Sequence, residues 1–325
     1  MPSPPNKPTL PQVTGQATSQ LSELSFLSFV ILRTVKTVWF STLLEAELRK
    51  GNHQYRHCTA TTLATCIAAL EADPPTHVFV VFDDAVDNID YTVDDIDDAV
   101  DGIEDTTPRE IKPLDTVTKS SILEFCADRK IHCTFFSNGN FYRHDERNCF
   151  YDSGFKEDAE PNFELHPISR TTYDFQQYLA RKHEKDALVL RLRSPIWDNF
   201  NGFLDKFERA RNKHNSWSVL HDVLPAAVFL ARHEVTGTFN FTNPGTTTSY
   251  NALVLLRDEF NPKMSFTMPP DINPKDAKAV YRSDCKLDMT KLQDALKIRG
   301  YPDIPGIEEA LRNCCKRMKS SKIGP

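Results

Sequence analysis

Histidine and cysteine side chains are the first candidates for chemistry in this sequence. His53, His57 and Cys58 combine imidazole with thiolate, a zinc-binding set, but no fourth ligand stands nearby. Cys314 and Cys315 lie among basic residues that could lower a thiol pKa, although a terminal amphipathic helix with one inward cysteine is the simpler interpretation. No Gly-x-Ser-x-Gly motif indicates a serine hydrolase. We expect neither a metal centre nor a nucleophilic enzyme.

The most unusual segment is acidic and runs from Asp83 to Asp105. It contains eleven acidic residues and no Lys or Arg, so the other residues include 34 acids and 39 bases. Apolar residues recur within it at spacings of four and three, which predicts an acidic helix with a narrow apolar seam. A calcium loop is disfavoured, because Ala99 and Pro108 stand where ligands are needed. The seam consists of Phe82, Val86, Ile89, Val93, Ile96, Val100 and Ile103.

Composition excludes several classes of protein. The net charge is -6 and the basic residues are scattered, which argues against nucleic acid as a partner. No apolar run is long enough for a membrane span, which needs about 20 residues. The eight cysteines include no C-x-x-C pair, so we expect reduced thiols in a cytoplasmic protein. Residues 1–24 are rich in Pro, Ser, Thr and Gln and are expected to be a disordered tail.

The remaining chain alternates short β-rich runs with helical patterns, which predicts βα units and a mostly parallel sheet. The predicted strands are Phe29–Leu32, His77–Phe82, His132–Phe136, Ala187–Arg191 and Thr238–Phe241. The predicted helices are Thr42–Lys50, Thr62–Ala72, Ser120–Lys130, Tyr173–Lys182, Leu224–Arg232, Tyr250–Phe260, Asp288–Arg299 and Ile307–Lys319.

A series of local motifs resembles a known enzyme family. The motifs are Gly154-Phe155-Lys156-Glu157, Leu190 to Ile196, Phe239-Asn240-Phe241-Thr242-Asn243-Pro244-Gly245, and Arg282-Ser283 followed by Leu287-Asp288. Their order and spacing are similar to those of the UDP-4-keto-6-deoxyglucose 3,5-epimerase/4-reductases of rhamnose synthesis, which are extended short-chain dehydrogenase/reductases. The resemblance implies a Rossmann-like, doubly wound parallel sheet over residues 25–193, with an acidic insertion at about 83–110. A smaller substrate-type lobe would occupy residues 194–325.

The resemblance also implies an NADP(H) site, and this chain departs from it. The family's first strand ends in a Gly-x-x-Gly-x-x-Gly turn that lets the pyrophosphate approach the following helix. Val35, Val38 and Ser41 take the three glycine positions here. The loop after a later strand carries Asp83, whose charge would repel the cofactor's phosphates. We expect no cofactor to bind in the usual pose.

The family's catalytic dyad is also missing. Its Tyr-x-x-x-Lys pair protonates the developing alkoxide, and Ile168 and Thr172 stand at those two positions. A shifted register would use Tyr173, but Gln177 then replaces the lysine. Asn138 takes the place of the hydroxyl residue that orients substrate. The sequence therefore predicts a structural or regulatory protein, with an active reductase/epimerase or a nucleotide-sugar binder as the alternatives.

We predict that the acidic helix binds a basic protein partner through Ile89, Val93, Ile96, Val100 and Ile103. So many Asp residues would not form a stable helix alone, so the seam must pack on a partner or on the chain's own sheet. The double variant Ile96→Asp/Val100→Asp should lose the partner in co-purification and keep its melting temperature. A melting temperature lower by many degrees would show that the seam belongs to the core.

Overall fold

Six parallel strands form the centre of the molecule. The structure, a computed structural model, describes residues 27–86, 116–144, 153–163, 165, 167–209, 212–266 and 283–321. The strand order in the main sheet is β2-β1-β3-β4-β5-β8, which confirms the predicted α/β class. Strands β6 and β7 form a separate parallel pair. The strands are β1 (Ser28–Arg33), β2 (Gln54–Thr59), β3 (His77–Val81), β4 (His132–Asn138), β5 (Ala187–Leu192), β6 (Pro195–Ile196), β7 (Ser218–Val219) and β8 (Gly237–Asn240).

Helices cover both faces of the sheet, so β3, β4 and β5 are buried along their whole length. Helices α1 and α7 pack on one face, and α2, α4 and α5 pack on the other. A third apolar cluster joins α6, α8 and α10 around Trp217. The helices are α1 (Val38–Lys50), α2 (Leu63–Ala72), α3 (Asp83–Val86), α4 (Thr116–Asp128), α5 (Pro167–Lys182), α6 (Phe200–Arg209), α7 (Leu220–Arg232), α8 (Ser249–Phe260), α9 (Thr290–Ile298) and α10 (Ile307–Ser320).

All five predicted strands and all eight predicted helices are present, with shifted ends. The strands β2, β6 and β7 and the helix α6 were not predicted, and α1 begins at Val38, four residues before the predicted Thr42. The disordered tail and the seam residues from Ile89 to Ile103 lie outside the described residues. In the described part of the chain, no helix combines the length and apolar character needed to cross a membrane.

Two buried histidines hold the carboxyl end of α7. His77 and His132 are neighbours in the register of β3 and β4. Nε2 of His77 lies 3.1 Å from the Ala231 carbonyl, and Nε2 of His132 lies 2.9 Å from the Val235 carbonyl. The Ala231 carbonyl lies in the last turn of α7 and also accepts from the Glu234 amide at 2.8 Å, and Val235 lies just beyond the helix. The two imidazoles therefore tie this end of α7 to the sheet. Burial lowers the pKa of both imidazoles, that of His77 to about 4.

We predict that the protein loses stability as the pH falls from about 6.5 towards 4. In the unfolded chain these histidines take up protons near pH 6.5, whereas burial keeps them neutral in the folded chain. Acid therefore favours unfolding, by on the order of 3 kcal/mol for His77, and stability is unaffected by this group above pH 7. Urea unfolding across pH 7.5 to 4.5 should show a shallower decline in the variant His77→Gln/His132→Gln. Equal slopes in both proteins would contradict this assignment.

Candidate functional site

The carboxyl edge of the sheet is where open α/β folds bind ligands. At this edge the loop between β1 and α1 is fastened to the end of β3. The Thr37 hydroxyl lies 2.7 Å from the Val81 carbonyl and accepts a hydrogen bond from the Thr34 amide at 2.9 Å. Because that hydroxyl is engaged with β3, Thr37 makes no side-chain cap for α1. The loop is therefore anchored by its own side chains.

The Asp83 carboxylate joins the end of β3 to the loop between β1 and α1. The Thr34 hydroxyl donates a hydrogen bond to Asp83, and the Lys36 ammonium lies 3.6 Å from the same carboxylate. Asp83 thus stands beside the amino end of α1, where a helix dipole attracts anions. The sequence placed Asp83 near this loop, and the structure brings the two into direct contact.

The three positions that lack glycine have different surroundings. Val35 and Val38 face outward, with 76% and 38% of their surface exposed, and neither has a positive φ. Ser41 is buried, and its hydroxyl accepts a hydrogen bond from the Arg33 guanidinium at 2.7 Å. Arg33 also pairs with Glu45 at 3.0 Å. A buried ion pair therefore lies beneath the first turn of α1.

Aromatic packing joins this helix to the second half of the chain. Trp39 in α1 stacks on Trp197, which follows β6, with ring centroids 4.1 Å apart and planes at 26°. Asp198, the next residue, receives two hydrogen bonds from Arg317 of α10, at 2.8 and 3.1 Å. The loop after β1 is thus connected to the carboxyl-terminal helix through one continuous set of contacts.

The positions of the missing dyad lie on α5. Thr172 is buried, and Ile168 belongs to the helix although its side chain lies outside what the structure describes. The Tyr173 hydroxyl donates to the Glu160 carboxylate at 2.5 Å. Burial, with that carboxylate, raises the pKa of Tyr173, the opposite of what a tyrosine general acid paired with lysine requires.

Asn138 ends β4 as part of a buried polar network. Its side-chain oxygen accepts from the Asn140 amide at 3.2 Å, and its carbonyl accepts from Gln176 at 3.2 Å. Gln176 also donates to the Ser137 hydroxyl at 2.9 Å and accepts from Arg191. Gln176 and Arg191 were not predicted from the sequence.

A second buried arginine joins the two halves of the chain at the same edge. Arg193 donates to Asn215 at 3.1 Å and also to Asn140 and the Ser283 carbonyl. The Ser283 hydroxyl in turn donates to the Tyr142 carbonyl at 2.5 Å. These hydrogen bonds connect residues that follow β4 and β5 with residues of the later half of the chain.

The histidine and cysteine candidates do not form a centre. His57 lies 3.4 Å from Glu45, and the described residues contain no group of three or more side chains suited to a metal ion. Cys314 and Cys315 are both buried, and burial raises the pKa of Cys315 to about 12. The basic neighbours therefore do not activate these thiols.

Comparisons with known proteins identify the lineage. No family model matches the chain. Uncharacterized protein L780 of Acanthamoeba polyphaga mimivirus is 30% identical over 202 residues, which are 60% of this chain and 67% of L780. The Arabidopsis thaliana bifunctional dTDP-4-dehydrorhamnose 3,5-epimerase/dTDP-4-dehydrorhamnose reductase is 28% identical over 200 residues. That match covers 59% of this chain and 64% of the Arabidopsis protein.

Solved structures of related enzymes have the same fold as this chain. The crystal structure of the mimivirus L780 UDP-rhamnose synthase matches with a TM-score of 0.72 at 22% identity, over 90% of this chain and 99% of L780. The dTDP-4-dehydrorhamnose reductase of Bacillus anthracis, solved with NADP, matches with a TM-score of 0.66 at 14% identity. That match also covers 90% of this chain and 99% of the reductase.

Proposed function

Because the chain belongs to the rhamnose-synthase family of extended short-chain dehydrogenase/reductases, we propose that it is a member without reductase activity. It would act as a structural or regulatory subunit of a larger assembly in the cytoplasm. Its protein partner, a basic one, would bind the acidic segment through Ile89, Val93, Ile96, Val100 and Ile103.

The contact between Asp83 and the loop before α1 carries this proposal. A pyrophosphate bound at the amino end of α1 would meet a carboxylate that Thr34 and Lys36 already hold in place. The Asp83 carboxylate and a pyrophosphate are both negative and would repel each other. Val35 and Val38 add side chains where the family has none, so the residues present do not fit NADP(H).

The proton-transfer groups support the same proposal. Neither Ile168 nor Thr172 can donate a proton to an alkoxide, and the Tyr173 hydroxyl is committed to Glu160. Under this proposal the folded chain serves as a scaffold, and its function lies in the surface that it presents to a partner.

The competing function is an active 4-keto-6-deoxy-sugar reductase/epimerase, or a protein that binds nucleotide sugars. The names of the Arabidopsis relative and of the L780 structure favour it, as does the retained Asn240-to-Gly245 motif. The fluorescence of Trp39 can discriminate between the two proposed functions, because Trp39 lies at the start of α1, where the family binds its cofactor. NADPH should change its fluorescence only if the groove still binds the cofactor.

We predict that NADPH and NADH do not raise the melting temperature of the purified protein. A ligand that binds only the folded state at a hundredfold excess over its Kd adds about 2.7 kcal/mol of stability. Thermal melts with millimolar NADPH should therefore match melts without it. The variant Asp83→Asn serves as a control for the charge alone. A clear rise in the wild-type melting temperature would overturn the proposal.

We also predict that the double variant Ile168→Tyr/Thr172→Lys does not recover reduction of a 4-keto sugar nucleotide. Restoring the proton donor leaves the hydride donor without a binding site, and both must be aligned for reaction. The assay is keto-sugar-dependent oxidation of NADPH, measured beside the unmodified protein. Measurable turnover in the double variant would show that the groove is open.

A further inference from the structure

Arg191 is a buried cation whose guanidinium is only partly satisfied. It is 2% exposed. Its Nε donates to Gln176, and its Nη1 donates to the Glu157 carbonyl at 2.9 Å and lies 3.3 Å from the Tyr142 hydroxyl. Arginine has five N–H donors, and those of Nη2 bond to no residue in the described part of the chain.

No carboxylate in the described ranges forms an ion pair with Arg191. The Glu157 carboxylate accepts from the Asn240 amide at 2.8 Å instead. Phe141 offers its ring face at 5.4 Å, which is a weak substitute for an anion. Arg191 and Glu157 attract each other without a direct hydrogen bond between their side chains. Because a buried donor without a partner is costly, the Nη2 end of the guanidinium is suited to an anionic ligand.

A cavity of about 200 Å³ provides the space for such a ligand. It lies between α5 and strands β5 and β8, with Arg191 on its wall and Leu179, Ala187 and Val189 as apolar lining. The other basic groups on its wall are engaged, since Lys291 donates to the Thr238 carbonyl and His183 pairs with Asp186. Three carboxylates line the same cavity, those of Asp158 and Glu184 on exposed residues and that of Glu157 on a partly buried one.

The charged groups of the cavity lie at different depths. The Arg191 cation is buried and the Glu157 carboxylate is partly buried, whereas the acidic residues Asp158 and Glu184 are exposed and therefore lie at the mouth. Drug-sized ligands occupy roughly 300 to 1,000 Å³, so this cavity suits a smaller molecule. A neighbouring cleft of about 640 Å³ shares Glu157, Asp158 and Lys291 with it and gives access from solvent.

We propose that this cavity binds a free α-amino acid with an apolar side chain. The carboxylate would bind Arg191 Nη2, the ammonium group would face Asp158 and Glu184, and the side chain would pack on Leu179 and Val189. The cavity walls come from α5, β5 and the start of β8, away from the loops after β1 and β3. The site is thus independent of the cofactor groove and of the proposed function.

Thermal melts of the full chain test the ligand class. The probes are L-leucine and L-phenylalanine at millimolar concentration, with 4-methylpentanoate and 3-methylbutylamine as analogues that each lack one charged group. We expect the amino acids to raise the melting temperature and to bind at least tenfold more tightly than either analogue in calorimetry. Absence of any shift, or equal binding of 4-methylpentanoate and leucine, would overturn the proposal.

Variants test the location. Ala180 is exposed on α5 and lines the cavity, so Ala180→Phe should fill it and abolish binding without disturbing Arg191. Ala180→Ser is the matched control and should bind as the wild type does. The pair Asp158→Asn/Glu184→Gln should weaken leucine at least tenfold and leave 4-methylpentanoate unchanged. Undiminished leucine binding in Ala180→Phe would place the site elsewhere and refute the assignment.

Discussion

The carboxyl edge of the sheet depends on one electrostatic constraint, which is the positive end of the α1 dipole. In a parallel α/β sheet, a helix that follows the first strand points its unpaired N–H groups and its dipole at the place where a ligand would lie. Here the protein supplies its own negative charge at that place, because Asp83 contacts Thr34 and Lys36. The electrostatic field that would bind a phosphate is thus already partly balanced.

Three buried arginines, in the sheet or next to it, also carry charges that their surroundings must balance. Arg33 is balanced by Glu45 and bonds to Ser41, so a polar residue is tolerated beneath α1. Arg193 has amide and carbonyl partners from both halves of the chain and joins them. Arg191 differs from both, since one end of its guanidinium is open to a cavity. The charge of each arginine is accommodated by its local geometry.

Sequence patterns were sufficient to predict the strands that are buried on both faces of the sheet. Strands β3 and β5 were found because Val78 to Val81 and Ala187 to Leu190 are continuous apolar runs, and β4 was found from Cys133, Phe135 and Phe136. Strand β2 was missed because it is an edge strand with the polar sequence QYRHCT. Helix α6 was missed although Phe200, Phe203 and Phe207 recur at helical spacing. At the candidate site, the residues that stand at the positions of the family's glycines and dyad could be identified by resemblance from the sequence. Arg33, Arg191 and Arg193 could not, because arginine is mostly a surface residue and only tertiary contacts show it to be buried.

Under the proposed function, the fold has lost one source of stability. A bound dinucleotide stabilises only the folded state, so a member of this family that does not bind one would need internal contacts in its place. The Thr37 hydroxyl on Val81, the Asp83 carboxylate on Thr34 and the Arg33 bond to Ser41 all lie around the former glycine positions. Glycines at these positions would add backbone freedom to the unfolded chain and remove the Ser41 contact. Asp83, whose charge would exclude NADP(H) in the proposed function, therefore also bonds to the ligand-free loop through Thr34.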